Sequence, residues 1–238
     1  MEVQKLLDLE GEEALVILTD DPDKACAYRK ENICCIGVGR ADRYFEGVEF
    51  VLESFEDMDE EFLKRAWCHF HHVPYTIFRS GDLICRESVG GDYEELKQMS
   101  LDCPFVHFPA RDVYDSYIET GYRLYGYGLW TVLVNNGGSW ERAGWCGITP
   151  PDEEREEGTV RFISGDNDMA ESLPQLGFVI RPDLRRRGIA KMACHGVLAY
   201  AKDELGIEAL EIRTGADNEA AAALARSLGF LGPKPWQA

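Results

Sequence analysis

Between residues 175 and 191 a short apolar run, Leu176-Gly177-Phe178-Val179-Ile180, leads through Arg181-Pro182-Asp183-Leu184 into Arg185-Arg186-Arg187-Gly188-Ile189-Ala190-Lys191. The apolar run has the composition of a buried strand. Ile189, Met192, Ala193, Val197, Tyr200, Ala201 and Leu205 then recur at the spacing of one helical face. A helix start leaves its first N–H groups without intrahelical partners and carries the positive end of the helix dipole. Gly188 would let a ligand come close to the main chain there. Three consecutive arginines beside a positive dipole end are unfavourable unless an anion compensates them, so this segment predicts a phosphate or pyrophosphate site.

Two other clusters carry less. Cys68-His69-Phe70-His71-His72 crowds soft and imidazole ligands into five positions, but adjacent side chains on a helix diverge. The expected reading is a helix end whose imidazoles face the C-terminal dipole, with no metal bound. The eight cysteines lack paired C-x-x-C spacing and read as reduced, mostly buried thiols. Asp20-Asp21 follows an apolar run and precedes Pro22, the arrangement of a helix cap with proline at the first position.

Elements must hold these residues. In the first 74 residues, Leu15–Thr19, Ile33–Val38 and Val48–Leu52 read as strands of a small parallel sheet, with helices after Asp21 and from Asp57 to about Phe70. From Pro74 onward, Leu83–Glu87 is a strand, Asp92–Met99 a short helix and Val113 to Tyr125 a longer one broken by Gly126. Trp130–Val134 and Ala143–Thr149 form a hairpin about Asn135-Asn136-Gly137-Gly138. Pro150 to Pro174 reads as an exposed insertion with little order of its own, and Ala209–Arg213 as a further strand.

Residues 75–238 resemble the GNAT-type N-acetyltransferases. Arg185-x-x-Gly188-x-Ala190 matches that family's Arg/Gln-x-x-Gly-x-Gly/Ala signature, and Asn218-Glu219-Ala220 through Leu228-Gly229-Phe230 resembles its Asn-led helix closing in Leu-Gly-Phe. The resemblance implies an α/β fold with a mixed α+β sheet, the GNAT acetyltransferase fold; the strand–helix alternation of residues 1–74 places before it a small α/β module, expected to have a structural or docking role. It implies acetyl transfer from acetyl-CoA, as co-substrate and without a metal, to a primary amine of a small molecule or peptide by direct attack. The pantetheine arm would lie along Phe178, Val179 and Ile180. The pyrophosphate would sit on Arg185, Arg186, Arg187, Gly188, Ile189, Ala190 and Lys191, with Asn218 reaching it from the next helix. The first 74 residues separately resemble the later half of a haloacid-dehalogenase-type core, although nothing before Leu15 reads as the nucleophile strand such a core needs.

The sequence departs from the GNAT pattern in three places. Ala225 stands where the family's usual acid, a tyrosine, falls, and Gln175 where a frequent base falls. Glu171 as base, with Tyr125 or Tyr127 near the acceptor, is the replacement the sequence offers. Only eight residues follow Leu228-Gly229-Phe230, where family members usually add two long strands. The acceptor side of the sheet is then open, rebuilt by the N-terminal module, or completed by another subunit in a homodimer. The alternative function is a regulatory or scaffold protein that binds acetyl-CoA with little or no turnover.

Composition narrows the partners. Lys and Arg number 25 against 43 Asp and Glu, a formal net charge of −18, which disfavours nucleic acid or an anionic membrane and favours a cationic acceptor. Residues 1–74 hold 18 acidic against 8 basic side chains, −10 of that surplus. No run approaches the roughly 18 apolar residues of a membrane span, and nothing at the N-terminus reads as a secretory signal, so the cytoplasm is the expected location.

Overall fold

A computed structural model describes residues 1–9, 11–40, 43–56, 58–100, 108, 110–151, 158–164 and 172–234. The chain divides into two compact units, Met1–Tyr75 and Thr76–Ala238.

In the first unit β1 (Glu2–Leu9) and β2 (Glu12–Thr19) form an antiparallel pair along their whole length. Helix α1 (Pro22–Lys30) follows, capped by the Asp21 carboxylate, which accepts from the N–H groups of Asp23 at 3.0 Å and Lys24 at 3.3 Å. Strands β3 (Cys34–Val38) and β4 (Val51–Leu52) add to β2 in parallel, and α2 (Glu60–Phe70) starts at an Asp59 cap. The sheet order is β1-β2-β3-β4. Strand β1 corrects the sequence expectation: its Glu2, Gln4, Lys5 and Asp8 hid the alternation, and only Leu7 is fully buried. The sheet is therefore mixed rather than parallel, and β4 is shorter than the expected Val48–Leu52. Leu7, Val16, Leu18, Ile36, Leu63 and Ala66 make the core. His71 stacks on Trp67 with centroids 4.2 Å apart and His69 tilts against Phe50, so these imidazoles pack on rings at the helix end.

The second unit runs β5 (Thr76–Ser80), β6 (Leu83–Glu87), α3 (Tyr93–Ser100), α4 (Arg111–Tyr125), β7 (Leu129–Asn136), β8 (Ser139–Thr149), β9 (Thr159–Ile163), β10 (Gln175–Ile180), α5 (Ile189–Asp203), β11 (Glu211–Gly215), α6 (Glu219–Ser227) and β12 (Leu231–Lys234). Its sheet has the order β12-β9-β11-β10-β8-β7-β6-β5. Helix α4 ends where Gly126 adopts φ +72°, and the β7–β8 hairpin turns on Gly137 and Gly138, both left-handed.

Strand β9 is the main departure. It lies inside the segment expected to have little order, yet it pairs antiparallel with β11 from Glu211↔Ile163 to Gly215↔Thr159, and β12 pairs with its other edge. The place beside β11 is thus filled from upstream in the chain, and β12 lies at the sheet edge beyond β9.

Helices cover both faces of this sheet. On one, Trp145 and Val179 pack with Tyr93, Leu96, Phe108 and Tyr114 of the α3–α4 layer. On the other, Cys146 meets Cys194 of α5, and Arg226 of α6 lies over Phe162. Met192, expected on the apolar face of α5, is exposed, and Cys194 is buried there instead.

A buried carboxylate pins α3 to the strands. Asp92 takes both Nη atoms of Arg86, at 2.7 and 2.9 Å, together with Nε of Arg142, the Thr131 hydroxyl and the Val89 N–H. Burial alone would raise its pKa, but these donors outweigh it and hold the group at about 2.

Candidate active site

Among the described residues, strand β10 is paired along the whole of one edge and at a single residue pair on the other. On the fully paired edge Gln175 to Ile180 face Thr149 to Gly144 of β8 in antiparallel register. On the other, it meets β11 at a single parallel pair, Gln175↔Glu211, where the Glu211 N–H donates to the Pro174 carbonyl at 3.0 Å. Beyond that pair the two strands separate. The Arg181 N–H donates to the Ala143 carbonyl at 2.8 Å, so alternation points the main-chain groups of Val179 and Gly177 at β8. Those of Phe178 and Ile180 point into the gap. An extended ligand laid there would pair as an added strand does.

At the wide end of the gap the chain turns into α5. Gly188 is the N-cap, with φ +79° and no side-chain cap, and no acidic residue lies in the first turn. The N–H groups of Ile189, Ala190 and Lys191 are therefore available to an anion. Arg186 is also left-handed, at φ +61°, and left-handed residues two apart suit a main-chain nest. A Cβ built on Gly188 would meet nothing within 4 Å, so the space above it is open. Arg181 fixes this turn to β8 by donating to Glu141 at 2.8 Å, to the Arg142 carbonyl at 2.9 Å and to Asp183. Arg185 folds back and donates from Nε to the Ile180 carbonyl at 2.8 Å.

Across the gap, Asn218 caps α6 with its side-chain oxygen, accepting from the Ala221 N–H at 3.1 Å, which leaves its amide NH₂ as a donor. The cleft enclosed by β10, the turn, β11 and α6 measures about 710 Å³, within the roughly 300–1,000 Å³ of small-molecule and cofactor sites.

The family model for the acetyltransferase (GNAT) domain matches residues 92–231. The chain belongs to the GNAT acetyltransferase family. It is similar to an acetyltransferase from Agrobacterium tumefaciens at 18% identity, over 65% of this chain and 82% of that one, with a TM-score of 0.48. It is similar to a ribosomal L7/L12 alpha-N-protein acetyltransferase at 16% identity, over 66% and 81%, with a TM-score of 0.42. It is also similar to an aminoglycoside 6'-N-acetyltransferase from Acinetobacter haemolyticus at 15% identity, over 64% and 92%, with a TM-score of 0.40. No curated protein matches the chain.

GNAT acetyltransferases use acetyl-CoA as co-substrate, and the residues here fit such a ligand: an open strand edge for an amide-bearing arm, then an uncapped helix start with three basic side chains, Arg185, Arg186 and Lys191, for phosphates. In this GNAT chain Phe178, Val179, Ile180, Arg185, Arg186, Gly188, Ile189, Ala190, Lys191 and Asn218 all line the cleft. Arg187 is exposed and is not among the lining residues. Gln175 sits buried at the closed end. Ala225 is fully buried on α6 and does not line the cleft. Tyr125 and Tyr127 lie against each other with centroids 5.8 Å apart, and neither lines it. Glu171 lies outside the described residues.

Sequence reasoning missed Trp145, Thr149, Arg213 and Thr214, which also line the cleft. Trp145 is there because it faces Val179 across β8–β10, and Arg213 because β11 runs beside the gap. No local motif announces either. The one available signal was Glu211-Ile212-Arg213, whose charges alternate in a strand.

Proposed function

We propose that this protein transfers the acetyl group of acetyl-CoA to a primary amine of a small molecule or peptide, by direct attack in a ternary complex. The observation that carries the reading is the separation of β10 from β11 beyond Gln175↔Glu211, directly above the uncapped start of α5. In this reading Phe178, Val179 and Ile180 hold the pantetheine arm, with pairing groups supplied by Phe178 and Ile180. Arg185, Arg186 and the main chain of Gly188, Ile189, Ala190 and Lys191 hold the pyrophosphate, Arg187 adds its charge from outside the cleft, and Asn218 donates from α6. Bound acetyl-CoA supplies an activated carbonyl; the protein supplies orientation and main-chain donors, and positioning of the amine accounts for much of the rate.

The acidic surface, at a net charge of −18, would draw a cationic acceptor to the enzyme. The described cysteines are free thiols, in keeping with the reducing cytoplasm as the proposed setting. The first unit is proposed as a structural or docking module.

Titration calorimetry with acetyl-CoA, on the wild type and Arg186→Glu, followed by thiol-release assays over a panel of amines, tests this function. Binding that the substitution abolishes, together with amine-dependent thiol release, is the expected result. Binding without release on any amine would favour an acetyl-CoA-binding regulator, which Ala225 and Gln175 would suit. No binding would overturn the site.

A further inference from the structure

Gln175 is 8% exposed and lines the narrow end of the cleft, and its side-chain amide has no hydrogen-bond partner among the described residues. Burying an amide unpaired is costly, so such a group in a native fold points to a ligand that completes it. The register of β8 and β10 sets its surroundings. Gln175 faces Thr149, Gly177 faces Gly147 and Val179 faces Trp145, and alternation puts all six on the α3–α4 face of the sheet. The middle pair has no side chains, and the indole takes up that space: a Cβ built on Gly177 would stand 3.1 Å from Cζ3 of Trp145. The result is a corner with the Trp145 ring on one side and the Gln175 amide and Thr149 hydroxyl on the other, all three lining the cleft.

The polar groups of this corner are neutral. Oε1 of Gln175 and Oγ1 of Thr149 accept hydrogen bonds, but neither takes up a proton near neutral pH. None of the described residues lining the cleft is a carboxylate, a histidine, a tyrosine or a cysteine. An ammonium brought here would exchange its hydration for two dipoles, a poor trade for a desolvated charge. An uncharged amine would give its two N–H groups to the two oxygens and keep its lone pair free. An arm running back along β10 from the α5 turn carries its thioester toward this same end of the gap.

We propose that Gln175 and Thr149, walled by Trp145, bind the acceptor nitrogen in its uncharged form, so that the protein acts on weakly basic amines, of the class of a peptide α-amine, in preference to strongly basic ones such as a lysine ε-amine. This rests on the acetyl-CoA site proposed above. The nitrogen lone pair bonds to the thioester carbonyl carbon, and the C–S bond breaks with its electron pair on sulfur. The proton shed by the nitrogen goes to that sulfur, giving the amide and the thiol of CoA. Gln175 and Thr149 orient the nitrogen and move no proton. At pH 7 about one α-amine in seven is uncharged, against about one ε-amine in 2,500, and the greater nucleophilicity of the ε-amine offsets only part of that difference.

The test measures kcat/KM for the amine against pH, on the full-length protein saturated with acetyl-CoA. Its acceptors are ring-substituted benzylamines, which share one shape and differ in basicity, together with an alanyl peptide and Nα-acetyl-lysine amide. The acidic limb of each profile is expected to move with the basicity of the amine, and the alanyl peptide to exceed the lysine amide roughly tenfold or more at pH 7. Gln175→Ala should raise the KM for the amine roughly tenfold while acetyl-CoA affinity, read by calorimetry, stays within a few-fold, and Thr149→Val should do the same to a smaller extent. Gln175→Glu sets a carboxylate beside the nitrogen and should shift preference toward the lysine amide. A limb fixed at one pH for every amine, and lost in Glu171→Gln or any other carboxylate variant, would reveal a proton-accepting group of the protein and overturn the proposal. An unchanged amine KM in Gln175→Ala, or turnover of none of these amines, would also overturn it and leave the acetyl-CoA site standing. Absence of acetyl-CoA binding to the wild type would overturn both.

Discussion

Gly188 and Gly144 show how single positions shape the site for opposite reasons. Gly188 is left-handed with empty space around it, so a side chain there meets strain and then blocks the approach of a ligand to the α5 N–H groups. Gly188→Val is expected to weaken acetyl-CoA binding roughly tenfold or more with the far-ultraviolet circular dichroism unchanged, as read by calorimetry. At Gly144 the obstacle is contact: a Cβ would stand 1.9 Å from the Val179 carbonyl oxygen. Gly144→Ala must push β8 from β10 and should cost roughly 2 kcal/mol or more of stability in urea unfolding. Gly188 was legible in the sequence because its role is local. Gly144 was not, because its neighbour is 35 residues away across a register that the sequence leaves open.

At the scale of elements, the Asp92 cluster decides how α3 meets the sheet. Its folded pKa, about 2, lies below the ordinary carboxylate value of 3.8, so it contributes stability that is present above about pH 4 and is lost as pH falls toward 2. The worth of that linkage is about 2 kcal/mol. Asp92→Asn should destabilise the protein by about 3 kcal/mol or more at pH 7, since it strands two arginine partners. It should also flatten the loss of stability between pH 4 and 2, measured by urea unfolding across that range. Helix α6 offers a milder case: Asn218→Ala removes a cap worth about 1 kcal/mol and a cleft donor together, so stability and acetyl-CoA affinity should fall in the same variant.

Across the whole molecule, a protein of net charge −18 holds its basic cluster at one cleft. Acetyl-CoA is itself an anion, so its association must overcome the average field and depends on the local one. Raising sodium chloride from about 0.05 to 0.5 M should screen both, and the affinity should fall several-fold because the contacts at the turn are the closer pair of charges. Saturation should stabilise the fold in proportion to occupancy, by about 2.7 kcal/mol at a hundredfold excess over Kd, seen as a rise in Tm that Arg186→Glu lacks.

What the sequence determined was local and periodic. The strand–turn–helix at 175–191 with its glycine, the Asp21 and Asn218 caps and the hairpin at Gly137-Gly138 all depend on neighbours within a few residues, where composition and spacing carry the physics. The tertiary structure decided what depends on partners far along the chain. Strand β1 is polar enough to hide until β2 pairs with it. Strand β9 forms because β11 and β12 offer edges to an otherwise unremarkable five-residue run. Arg161, Glu211 and Arg213 form a buried cluster because register sets them side by side. The opening between β10 and β11 exists because only one of their residue pairs is joined, and hydrogen bonding between distant strands leaves no trace in either strand alone.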